Sequence, residues 1–158
     1  MNAAHLHLLL VHIPVVVVPL GCIVLLYGVR RDSLPITRTA LTILLVASLI
    51  AIPTFLSGGE AEEIVEHLPG ISEHLIEEHE EAADIALWLT LGVGVLSLLS
   101  LLAIRTGAAL ERALLRATLL LSCISSAALA YTANEGGRIR HPEAFSTEQP
   151  TEENKDHD

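Results

Sequence analysis

The sequence predicts an all-α integral membrane protein: a four-helix bundle with an acidic helical loop on its outer side. Three observations carry that reading. Hydrophobic residues fill 51% of the 158 positions, and mean hydropathy is +0.54. The apolar residues gather into four long runs, where a soluble fold or a closed barrel would alternate them with polar ones. Charged residues are only 18%, against about a quarter in soluble domains.

The runs cover about 6–29, 40–56, 82–104 and 113–133. Crossing a ~30 Å hydrocarbon core takes about 20 helical residues, so the second run is the shortest fit. The first is not a secretory signal. Met1–Ala4 has no basic residue, and the run exceeds an h-region of about 7–15 residues. Pro14, Pro19 and Pro53 each remove a backbone N–H, loosening the outer halves of helices one and two. Ser57-Gly58-Gly59 is expected to end helix two. Glu60–Leu68 suits a short helix, broken at Pro69-Gly70. Ser72 is a suitable N-cap for a helix that continues into run three, with Ile76, His79 and Ala83 on its inward stripe. After run four, Gly136-Gly137 is expected to turn the chain out of the membrane. Residues 1–142 thus form the transmembrane domain, and 143–158 an acidic, disordered tail.

Arginine placement sets the orientation. Arg30, Arg31 and Arg38 fall between runs one and two, and Arg105, Arg112 and Arg116 between runs three and four. These short loops are expected in the cytoplasm of a bacterial inner membrane, with both termini outside. Of 19 acids only Asp32 and Glu111 lie on the inner side, leaving 17 outside. All 8 histidines fall on that outer side too.

Several chemistries are excluded. A net charge of −10 argues against nucleic-acid binding. Cys22 and Cys123 lie inside apolar runs and read as small core residues, not a disulfide framework. Glu-x-x-His pairs, His-Glu-x-x-His and a glycine-rich phosphate loop do not occur.

The histidines point to haem. His12 lies about two turns into helix one among apolar neighbours, where an imidazole needs a partner. His7 and His12 are five residues apart, roughly 140° around a helix, so they cannot be opposite axial ligands of one haem. His79, at the mouth of helix three, is the expected partner of His12, with His141 next. Arg138 and Arg140 stand where haem propionates or a quinone headgroup would want donors. His67, His74 and the surrounding glutamates offer a different possibility, a surface divalent-metal site.

His7-Leu8-Leu9-Leu10-Val11-His12-Ile13-Pro14 resembles the opening signature His-Pro-x-x-Val-His-Phe-Pro of a bacterial family of small four-helix membrane proteins. That family is catalogued only as a domain of unknown function, and some members are fused to Rieske iron–sulfur domains. Leu8 and Ile13 depart from the signature. A histidine entering helix three is similar to His79, and a Gly-Gly followed by a histidine is similar to Gly136, Gly137 and His141. The resemblance runs to Pro142. It implies the architecture and four positions, His7, His12, His79 and His141, with a hint of electron transfer from the Rieske fusions.

The expectation is therefore a small b-type cytochrome with haem b on His12 and His79. It would pass electrons between a quinol pool or membrane complex and a basic outer-face carrier. Two alternatives stand beside it: a cofactor-free accessory subunit of a respiratory complex, and an outer-face metal-binding protein. The membrane lipids are partners in every version.

Overall fold

The computed structural model describes residues 2–66 and 71–141. Four helices follow one another: α1 (Ala3–Arg30), α2 (Leu34–Val65), α3 (Glu73–Thr106) and α4 (Glu111–Arg140). No strand forms among the described residues. All four helices are long and apolar enough to span a membrane. They pack as an up-down ring, with α1 on α2, α2 on α3, α3 on α4 and a sparser seam between α1 and α4. Large side chains such as Leu120 and Trp88, 67% and 66% exposed, point away from the ring. In lipid that exposure costs nothing, because acyl chains are as apolar as leucine.

Each helix outruns its apolar stretch. Asn2 caps α1, its side-chain oxygen accepting from the His5 N–H at 3.0 Å. Pro35 opens α2, where a missing N–H costs nothing. Gly107, at φ 68°, closes α3 in the left-handed conformation. Two expectations are corrected here. Gly58-Gly59 does not end α2, which continues through the glutamates to Val65. Gly136-Gly137 does not turn the chain out of α4, which runs on to Arg140. The prolines 14, 19 and 53 also lie inside unbroken helices. Ser72 takes the N-cap position of α3 but makes no side-chain capping bond. His67, Pro69-Gly70 and the tail from Pro142 lie outside the described residues.

The buried faces reveal a repeat. On α1 they are Pro14, Val18, Gly21, Cys22, Leu25 and Gly28. Adding 72 gives Ala86, Thr90, Val93, Gly94, Ser97 and Ser100, all buried on α3. On α2, Ala40, Leu44, Ala47, Ala51, Thr54 and Ser57 shift by 78 onto Thr118, Ser122, Ser125, Leu129, Thr132 and Glu135, the buried face of α4. The ring is thus two similar hairpins, α1–α2 and α3–α4. The chain joins α2 to α3, so the sparse α1–α4 seam is the side without a covalent link.

Candidate functional site

At the acid-rich end a cavity of about 60 Å³ lies on the line between the hairpins. His7 and Val11 of α1 and His79 and Ala83 of α3 line it, with Thr54 of α2 and Thr132 of α4. These again pair across the repeat, 72 apart on α1 and α3, 78 apart on α2 and α4. The two histidines come from helices diagonally opposed in the ring.

The same device holds each ring. His7 Nδ1–H donates to the Thr54 carbonyl at 3.0 Å, and His79 Nδ1–H donates to the Thr132 carbonyl at 3.0 Å. A glycine four residues further along then makes room. A Cβ on Gly58 would stand 3.3 Å from His7 Cε1, and one on Gly136 3.1 Å from His79 Cε1. With Nδ1–H committed to backbone, Nε2 carries the lone pair, the tautomer a metal-ligating imidazole needs.

Beyond the rings the hairpins differ. Ser57 sits beside His7, 3.3 Å from Nδ1, and itself donates to the Thr54 carbonyl at 2.8 Å. The matching residue in hairpin two is Glu135, 3% exposed, whose carboxylate accepts from Arg138 at 2.6 Å. Arg138 also reaches Glu78 of α3 at 3.4 Å.

Other expected site residues fall elsewhere. His12 does not face the interior. It is exposed, with Nδ1 bonded to the Leu8 carbonyl of its own helix at 2.7 Å. One residue past cavity-lining Val11 turns a side chain about 100° around the helix, and that takes His12 off the buried stripe. The structure brings His7 together with His79 on the cavity and leaves His12 outside it. His141 caps the end of α4, exposed and apart from the cavity-lining residues. Arg138 is held by two carboxylates rather than free for a propionate, and Arg140 is exposed. His74 lies on the surface, 3.4 Å from Glu78. Among the described residues no three His, Cys, Asp or Glu converge as a metal site. Trp88 and Tyr131 face outward and take no part in the cavity.

The sequence did hold a signal for this site. Thr54-Phe55-Leu56-Ser57-Gly58-Gly59 and Thr132-Ala133-Asn134-Glu135-Gly136-Gly137 share a Thr-x-x-x-Gly-Gly frame, and both frames stand opposite a histidine.

The donor set fits a bis-histidine haem: two neutral imidazoles from opposed helices, small or apolar walls, and glycines beside the rings. The free volume of about 60 Å³ is far below that of a macrocycle, so haem takes this place only with the hairpins further apart. No family model, curated protein or solved structure matches the chain. The class defined by the fold is a multi-spanning helical membrane protein, with two histidines from opposed helices lining one cavity.

Proposed function

We propose that the chain is a small membrane electron-transfer protein holding haem b between His7 and His79. The single observation that carries this is the matched Nδ1 anchoring of both rings, which leaves two Nε2 donors on one cavity. Bound there, haem would supply one-electron chemistry. The protein's part is to fix both tautomers through the Thr54 and Thr132 carbonyls and to keep the apolar walls dry. The acid-rich end would favour a basic outer-face carrier. Quinol or a larger respiratory complex would serve as the membrane-side partner, in a bacterial inner membrane with both termini outside. The resemblance to the four-helix family with Rieske fusions supports the same direction.

The small cavity favours a second reading, a metal ion that the same two imidazoles would hold. A visible spectrum with metal analysis of the purified protein separates the two. Haem gives a Soret band and sharp reduced α/β bands, lost in His7→Ala and in His79→Ala and retained in His12→Ala. A colourless protein carrying one metal ion supports the second reading. Bleaching by His12→Ala with a normal His7→Ala spectrum overturns both.

A further inference from the structure

The arginine-rich end of the bundle holds a second cavity, of about 230 Å³. It opens between the α1–α2 turn and the first turns of α4. Gly28 and Val29 wall it at the point where the apolar run of α1 gives way to Arg30. That is the depth of phospholipid headgroups.

Four charged residues line it: Asp32, Glu111, Arg112 and Arg116. Arg112 and Arg116 are four apart on α4 and so share a face. Asp32 is held at φ 50° in the turn, a left-handed conformation that Asp tolerates better than most residues. Among the described residues none of the four makes an ion pair. A simple anion would meet the two carboxylates, and a simple cation the two guanidiniums. A zwitterion satisfies both signs: its phosphate takes the arginine fork and its ammonium the carboxylates. A primary ammonium has N–H donors for those carboxylates, and a quaternary one has none.

We propose that this cavity binds the headgroup of a phosphatidylethanolamine-type phospholipid, whose acyl chains lie along the sparse α1–α4 seam. The site stands apart from the histidine pair, and its test needs no cofactor.

The test titrates delipidated full-length protein in detergent with phosphatidylethanolamine, phosphatidylcholine or phosphatidylglycerol, counting bound lipid by native mass spectrometry. The expected preference for phosphatidylethanolamine is about tenfold over either of the others, the scale of one charged hydrogen bond. Arg112→Gln with Arg116→Gln should remove lipid retention. Asp32→Asn with Glu111→Gln should turn the preference toward phosphatidylglycerol. Millimolar O-phosphoethanolamine should fail to displace the lipid. Equal or tighter binding of phosphatidylglycerol by the unaltered protein overturns the proposal. So does unchanged retention in the arginine variant, or displacement by the free headgroup compound. Helical content by circular dichroism confirms that each variant is folded.

Discussion

The two hairpins adhere by different chemistry on a similar plan. In α1–α2, small residues bring the helices close. A Cβ on Gly21 would lie 2.8 Å from Leu44 Cδ2, and one on Gly28 2.8 Å from the Thr37 backbone nitrogen. In α3–α4, hydroxyls bridge the helices, Thr90 to Ser125 at 2.8 Å and Ser100 to Thr118 at 3.1 Å. Val18 with Ala47, and Gly28 with Ala40, occupy the matching places in hairpin one. Close van der Waals packing and interhelical hydrogen bonding are both available to helices in lipid, where apolar burial drives nothing. Either one delivers a histidine to the same cavity. The shared requirement is the local frame of carbonyl and glycine around each ring, not the glue along the rest of the hairpin.

The comparison breaks most sharply at Gly28. Gly28→Ala drives a methyl against backbone, which cannot rotate aside, and should cost about 2–3 kcal/mol as overpacking does. Ser100→Ala, at the equivalent place in hairpin two, removes one hydroxyl bond and should cost only about 0.6 kcal/mol. Unfolding in mixed detergent by circular dichroism measures both, and equal losses would erase the distinction between the hairpins.

Glu135→Ser comes next. It gives hairpin two the residue of hairpin one at this place and strips Arg138 of its closest carboxylate. The expected loss is about 1.5 kcal/mol, the low end for a charged hydrogen bond. The same unfolding assay at pH 7 reads it, and an unchanged midpoint would show the ion pair to be inert.

A graft sharpens the comparison in the other direction. Val18→Thr with Ala47→Ser copies the Thr90–Ser125 bond into hairpin one and should raise stability by about 0.6 kcal/mol. A loss beyond about 1 kcal/mol, the cost of an unpaired buried hydroxyl, would mean the two hairpins do not superpose there.

The smallest effect is expected at His12. His12→Ala removes an exposed ring bonded only within its own turn, so the unfolding midpoint should move by less than about 0.5 kcal/mol, as for ordinary surface changes.

Much of the fold was legible because a bilayer leaves few options. Long apolar runs must be helices, and arginines flag the loops. The helix ends were less legible. The glycine pairs at 58–59 and 136–137 look like helix terminators, yet both lie inside helices. Their role comes from the neighbouring helix, since each first glycine leaves room for a histidine ring. The site was half legible for a related reason. Depth in the run selected His12, while helical face decides which ring looks inward. His7, Pro14, Gly21 and Gly28 recur every seven residues, as do Val11, Val18 and Leu25. That seam points at His7 and passes His12 by. The Thr-x-x-x-Gly-Gly frame marks where Thr54 and Thr132 stand, but nothing in it names their carbonyls as the acceptors, because a backbone acceptor carries no residue signature.

The repeat of hairpins has a consequence for depth. A unit with an even number of crossings enters and leaves by the same face of the bilayer, so a second unit joined behind it inserts in the same sense. Equivalent residues in the two units then meet at equal height. A unit of odd parity would arrive inverted, sending His79 to the opposite leaflet from His7. The two rings can share one chamber because each belongs to a two-span module, whichever way the pair is threaded.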